Sequence, residues 1–385
     1  MATQLASAAA FGDGTTVTCA ANASVVDIFV GTFTNKASKG IYRSQIDLGA
    51  GKFTQPAALA AEAVQPSWLR WHPKRADILY AVCEDGKAPG CSAYRLLPDG
   101  SLQLLNTVST QAGGPTHFSV SPSGGHLAIA NYGGGALTVI PTAADGSLLP
   151  ASAVITHEGS GPNTKRQKEP HAHSANWDNS GKFIFCCDLG TDEVIIYELL
   201  PSGGVERRGA GATTPGTGPR HLAVHPSQPV VYMNGEMLPC EISVYDWSAE
   251  AASLTCRQTV PTLPDGYAGP NGTSELLLNS SATKLYCANR GHDSLVVYDV
   301  APDGALSAPL AQVPTGKHPR NFNIDPSGQW LLVGNAHDDT VTVYSLPADS
   351  GIPTPTGATL EVPTPTRILF VPPQWLTTVS HPLLT

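Results

Sequence analysis

One short motif recurs along this chain: a proline, one or two polar residues, then an apolar run. The residues behind the proline are of types that could do chemistry. The copies are QPSWLRW at Pro66, GPTHFSV at Pro115, EPHAHSANW at Pro170, GPRHLAV at Pro219, HPRNFNI at Pro319 and TPTRILF at Pro365, with GTSELLL around Ser274 as a seventh that lacks the proline. They supply His117, His171 and His173, Arg220 and His221, Glu275, Arg320 and Arg367. A second series follows the next apolar run of each copy: Glu84, Asp188, Glu236, Arg290 and His292. A purely structural repeat would carry the same residue in every copy, whereas these differ from copy to copy and are polar or ionisable. Imidazoles titrate near neutral pH and can move protons. Guanidinium groups grip carboxylates and phosphates through a planar fork. Brought to one place, such groups would form a site for a small anionic ligand.

The bland readings stand beside this one. His171 and His173 could be a structural hydrogen-bonded pair, or the two halves of a metal site, since alternate residues of a strand point the same way. No third ligand accompanies them at a metal-site spacing, so neither a metal nor an organic cofactor is expected. Arg220 and Arg290 could form salt bridges between repeats, and Glu236 could simply neutralise one of them. His72 and His225 sit in His-Pro turns, and Asp325 in Asp-Pro-Ser-Gly is a turn former. Tyr94, Tyr197, Tyr245, Tyr298 and Tyr344 recur with the repeat, which marks them as packing residues.

The elements that must position these groups follow from the same repeat. Its copies are spaced by 45 to 55 residues, a period typical of propeller blades. Each copy continues with a tight turn, a β-rich run such as HLAIANYG or KLYCANRG, an alternating run often ending in Tyr, and a polar turn leading to a fourth strand. This predicts an all-β chain folded as a seven-bladed β-propeller with four-stranded blades. The segment from Val26 to Gln55 matches the later part of a unit, and TRILFVPPQ near the C-terminus matches only the first part. The N- and C-terminal strands are therefore expected to share one blade and close the ring, which removes the exposed sheet edges. The expected organisation is a loose N-terminal tail over 1–24, one propeller domain over 25–375 and a C-terminal tail over 376–385.

Composition narrows the function classes. The 38 glycines and 33 prolines suit a turn-rich β protein, and 41% apolar residues against 14% charged ones suit a large buried core. A net charge of −9 argues against a nucleic-acid partner. No stretch is long and apolar enough for a membrane-spanning helix. The eight cysteines include no CxxC pair, and several lie in apolar runs such as FIFCC. They read as buried free thiols. With no charged segment of the signal-peptide kind in MATQLASAAAFG, a cytoplasmic location is expected.

The combination of VGTFT, PHAHS, DLGTDEVIIY, GPRH, NRGHDSLVVY, HPRNFNIDPSG and GNAHDDTVTVY, spread over residues from about 26 to 372, resembles the lactonase family of β-propellers. That family includes propeller-type 6-phosphogluconolactonases and carboxy-cis,cis-muconate cyclases. Through the cyclase branch the resemblance implies a catalytic set of one His, two Arg and one Glu, which maps onto His171 or His173, Arg220, Arg290 and Glu236. In VYMNGEM a glycine, Gly235, stands beside the glutamate where the family reads Asn then Glu. His117, Glu275, His292 and Arg320 are the expected substrate-binding residues.

Three functions remain open at this point. One is hydrolysis of a phosphorylated sugar lactone by a 6-phosphogluconolactonase-like enzyme, with Glu236 or a neutral His171 or His173 activating water and arginines binding the anion. Another is lactone closure of a muconate-type carboxylate. The last is a binding scaffold, against which the lone Asp246-Trp247 speaks, since no WD dipeptide recurs. The expected partner is a small anionic lactone or carboxylate.

Overall fold

The computed structural model describes residues 24–85 and 87–372. Among them every regular element is a strand. The strands form seven antiparallel sheets arranged as blades, with 1–4 strand order running outward from the axis. We number the blades by the chain order of their innermost strands: Leu69–His72, Pro115–Val120, Ala172–Trp177, Pro219–Val224, Gly272–Leu278, Pro319–Ile324 and Pro365–Phe370. Blade 7 is composite. Its inner strand Pro365–Phe370 pairs with Val25–Thr32, setting Phe370 opposite Ile28 and Ile368 opposite Val30. Its outer position is split between the short strands Lys52–Phe53 and Ala58–Glu62, both of which pair with Gly40–Asp47. The two ends of the described chain thus close the ring as the partial repeats require.

The inner strands of each blade are largely buried on both faces, because each blade packs on two neighbours, while the outermost strands are mostly exposed. Seven apolar clusters result, one between each adjacent pair of blades. The periodic tyrosines belong to these seams. Tyr245, Tyr298 and Tyr344 donate their hydroxyls to carbonyls of the preceding blade, at Ala212, Pro261 and Pro314. These three rings therefore end on a satisfied polar atom. The turn assignments also acquire a mechanism. The Nδ1 atoms of His72 and His225 accept backbone N–H bonds from Lys74 and from Ser227 and Gln228. The Asp325 carboxylate caps Ser327, Gln329 and Trp330 in the same way.

The cysteines need one correction. Seven are free among the described residues, and Cys91, Cys186, Cys187, Cys240 and Cys287 are buried. Cys83 is half-buried, however, and Cys256 is exposed, because it lies on the outer strand of blade 4 with its side chain away from the seam. Cys19 lies outside the described residues, as do most of the two predicted tails.

One irregularity is repeated around the ring and sets the geometry of the axis. Pairing with the second strand places Pro115 opposite Asn131, Pro219 opposite Gly235, Pro319 opposite Asn335 and Pro365 opposite Thr32. The register then skips one inner-strand residue: Thr116, Arg220, Arg320 and Thr366. Each is the extra residue of a β-bulge, a device that re-aims a side chain. In blade 3 the residue opposite Asp188 is Ala172, and the skipped residue is His173. Ala172, not Pro170, therefore takes the place of the repeat proline. The sequence repeat is out of step there by two residues, and His171 belongs to the loop ahead of the strand.

Candidate active site

The bulge residues Thr116, His173, Arg220, Arg320 and Thr366 meet at the axis, with Ser67 from the segment ahead of the blade 1 inner strand, around a void of only about 10 Å³. This throat separates an upper mouth, built by the loops entering the inner strands and leaving the second strands, from a lower one. Strand register decides what stands over the throat. Gly235 occupies the position that Asn131 and Asn335 hold in their blades. A Cβ there would fall 2.0 Å from the Thr217 hydroxyl, so glycine is required by close approach. Glu236 is consequently the first residue beyond the second strand of blade 4, and its counterpart in blade 5 is Arg290, the last residue of that second strand, which follows the Asn289 that faces Thr273. The two equivalent positions meet: Arg290 Nη2 lies 3.1 Å from Glu236 Oε2.

Glu236 is the hub of the upper mouth. It accepts from Arg220 Nε at 2.9 Å and from Arg166 Nη2 at 2.8 Å, and His173 Nε2 stands 3.6 Å away. Arg220 also donates to the Ser274 carbonyl, and Arg290 to the carbonyls of Gly272 and Thr273. Burial disfavours the ionised carboxyl, but Arg290, Arg220, His173 and Arg166 outweigh it and hold Glu236 well below the usual carboxylate range. Such a carboxylate is a weak base. Burial, reinforced by Arg220, lowers the proton affinity of His173 well below that of a free imidazole, so it is neutral at pH 7.

The two histidines of PHAHS have different surroundings. His171 is half-buried and stacks on Tyr132, with centroids 4.5 Å apart. Its Nδ1 lies 3.0 Å from the Tyr132 carbonyl, an acceptor only, so Nδ1 carries the proton and Nε2 keeps a free lone pair. The loop is held by Asp188, whose Oδ1 accepts from the backbone N–H groups of His171, Gly190 and Thr191, while Oδ2 meets His157 Nδ1. Gly190 closes the other side: a Cβ on it would lie 2.0 Å from the Glu169 carbonyl oxygen and 2.8 Å from the His171 nitrogen. Since both obstacles are backbone, Gly190→Ala should push the His171 loop aside, costing about 1–3 kcal/mol of stability. Turnover should fall roughly tenfold or more, because a misplacement near 1 Å is costly. Steady-state kinetics beside a denaturant melt measure both, and wild-type kcat in this variant would refute the tight docking.

Arg320 is different from the other three guanidinium groups. It lies over the Phe33 ring, 4.6 Å from the centroid, and has no carboxylate within salt-bridge distance among the described residues. Glu84 is nearby but engaged, accepting from the hydroxyls of Ser67 and Thr116. Burial pushes its carboxyl up, partly offset by Arg320. The upper mouth therefore holds four guanidinium groups against two occupied carboxylates, in a chain of net charge −9. This arrangement can bind an anion, stabilise a developing oxyanion and offer one imidazole as base.

The structure thus brings His171, His173, Arg220, Glu236, Arg290 and Arg320 to one mouth. It places the other expected binding residues elsewhere. His117 and Glu275 are one layer below the throat, where Glu275 is taken up by His221 at 3.1 Å, Arg367 at 3.1 Å and Asn321. They sit one residue beyond the bulge position, which aims them down the channel. His292 turns outward, bonding Ser294 at 2.7 Å and packing edge-on against Tyr267. Two members of the mouth, Arg166 and Tyr132, escape sequence reasoning. Arg166 comes from the long loop between blades 2 and 3, anchored by buried Gln167 on Leu189 and Asp192, and only its basic run TKRQK marks it. Among the described residues no group of three His, Cys, Asp or Glu side chains is placed to hold a metal ion.

Comparison with known proteins agrees with this architecture. The sequence pattern of the family described as "Lactonase, 7-bladed beta-propeller" matches residues 27–370. The 6-phosphogluconolactonase of Bacillus subtilis is 30% identical over 345 residues, covering 89% of this chain and 97% of that one. A 6-phosphogluconolactonase of Pectobacterium carotovorum is 29% identical over 262 residues, 67% of this chain and 75% of the other. The solved structure of the Pseudomonas aeruginosa periplasmic gluconolactonase superposes with a TM-score of 0.85 at 31% identity, covering 91% of this chain and 99% of its own.

Proposed function

From the premise that this chain belongs to the lactonase family of seven-bladed β-propellers, we propose that its upper mouth hydrolyses the δ-lactone of an anionic sugar acid, 6-phosphogluconolactone being the first candidate. The observation that carries the reading is the saturation of Glu236 by three guanidinium groups beside an Arg320 that has no carboxylate of its own. Arg320 receives the substrate's anionic group. His171 Nε2 takes a proton from water as the water oxygen attacks the lactone carbonyl carbon. The carbonyl oxygen gains charge facing the buried guanidinium groups, a low-dielectric setting in which fixed cations count most. Collapse of the tetrahedral species breaks the ring C–O bond, and the imidazolium returns its proton to the departing alkoxide. The product is the open hydroxy acid. Glu236 fixes the arginines and is not the base, because its proton affinity is suppressed by the same groups.

The names of the relatives divide between a phosphorylated and an unphosphorylated gluconolactone, so the test runs both, freshly prepared and corrected for spontaneous opening. Catalysed opening is expected. His171→Asn should lower kcat by about 10²–10⁴, His173→Asn should lower it less, and Arg320→Gln should raise KM more for the phosphorylated substrate. Turnover of neither lactone, or an ultraviolet change with a cis,cis-muconate in their place, would overturn the proposal.

A further inference from the structure

Below the throat the channel opens again into a cavity of about 360 Å³ on the opposite face of the propeller, a size that suits a small ligand. Two adjacent blades each put a guanidinium group into it, Arg70 from blade 1 and Arg367 from blade 7. Arg367 lies over the Trp68 ring, 4.1 Å from its centroid, and is paired with Glu275. The Arg70 side chain forms no hydrogen bond and no salt bridge among the described residues. The Nε atoms of both arginines are buried without a partner. Two acidic residues line the cavity, and neither makes a hydrogen bond or salt bridge to Arg70. Glu275 is shared by His221, Asn321, Arg367 and the Leu276 N–H. Asp178 caps a turn through Ser180 and the backbone N–H groups of Lys182 and Phe183. His117 accepts the Ala175 N–H at Nδ1, which leaves its Nε2–H as a further donor.

A buried Arg367 and a half-buried Arg70 whose Nε is enclosed face one cavity with a single carboxylate pairing, that of Glu275 with Arg367, an arrangement that is costly unless an anion joins them. We propose that this lower cavity is a second binding site, distinct from the lactone mouth, for a small carboxylate or phosphate anion held between Arg70 and Arg367. The Trp68 face, with Ser119 and Asn176 on the wall, suits a hydroxylated acid as readily as inorganic phosphate.

The full chain is titrated with potassium phosphate and, separately, potassium gluconate, against potassium chloride at equal ionic strength. Tryptophan emission and melting temperature are read, because Trp68 and Trp177 both line the cavity. Saturable binding by at least one anion is expected, and the stronger of the two identifies the natural chemistry. Arg70→Gln should weaken it about tenfold or more, the loss of a charged hydrogen-bond donor, with lactone turnover unchanged. Arg320→Gln should leave the emission response intact. In chloride Arg70→Gln should melt at or above the wild type, and in saturating ligand below it. A response no larger than that to chloride, or one lost in Arg320→Gln and kept in Arg70→Gln, would overturn the proposal. So would an Arg70→Gln chain that is less stable in both media, since Arg70 would then be structural.

Discussion

Glu236→Gln is expected to lose about 3–5 kcal/mol of stability together with most of its activity. The substitution keeps the shape but removes the negative charge that holds Arg220, Arg290 and Arg166. Removing one partner of a buried ion cluster leaves the others desolvated and unpaid by any attraction. Arg220 and Arg290 are the costly ones, with side chains only 3% and 10% exposed. Arg166→Ala gives the contrast. At 42% side-chain exposure its pairing is screened by water, and its loss should cost no more than about 1 kcal/mol. Urea melts of both variants, with lactone turnover in parallel, measure the difference. A second reading belongs to the same experiment: phosphate or sulfate should restore part of the stability of Glu236→Gln, because an added anion can replace the missing carboxylate. A glutamine variant as stable as the wild type would show that the arginines are held by their backbone carbonyl bonds and not by Glu236.

The protein should also be sharply acid-sensitive just below neutrality. His117, His173 and His221 sit around one another near the axis, with centroid separations of 5.2 Å and 5.5 Å between neighbours. Burial is the first cause that lowers the proton affinity of all three, helped by His221 for His117 and by Arg220 for the other two. The charges facing them are Arg70, Arg220, Arg290, Arg320 and Arg367, with Glu236 beside His173 and Glu275 beside His221. A histidine whose folded pKa is depressed takes up its proton in the unfolded chain first. Its stabilising contribution is complete above pH 6.5 and is lost as the pH falls below it. Each imidazole adds about 1.4 kcal/mol per pH unit to the slope, and three together up to about 4 kcal/mol per unit. Glu275 acts in the opposite sense, because burial raises its pKa, and it offsets part of the loss at the acid end. Unfolding free energy measured from pH 7.5 down to 5.5 should therefore fall steeply below about pH 6.5. His117→Gln, which keeps an acceptor for the Ala175 N–H, should reduce the slope by about 1.4 kcal/mol per unit. A flat profile over that range would mean that the three rings titrate normally.

The amino-acid sequence determined the architecture of this protein. Blade number, ring closure by the terminal segments, the tyrosine seams and the turn roles of His72, His225 and Asp325 are all local or periodic features. Turn chemistry and apolar alternation act over a few residues, and the same pattern is written seven times. The sequence also named as candidates six residues that meet at the upper mouth, His171, His173, Arg220, Glu236, Arg290 and Arg320, but it grouped them with His117, Glu275 and His292, which lie elsewhere, and it gave no sign of Tyr132. Tertiary structure alone decided depth and pairing. A one-residue bulge separates Arg220, which stands at the throat, from Glu275, which lies beneath it, and no periodicity reports a bulge. The same register sets Ala172 where a proline was expected and makes Glu236 the counterpart of Arg290. Arg166 reaches Glu236 from 70 residues away along the chain. Side chains this remote acquire a shared environment, and with it their charge state, only when the ring has closed around them.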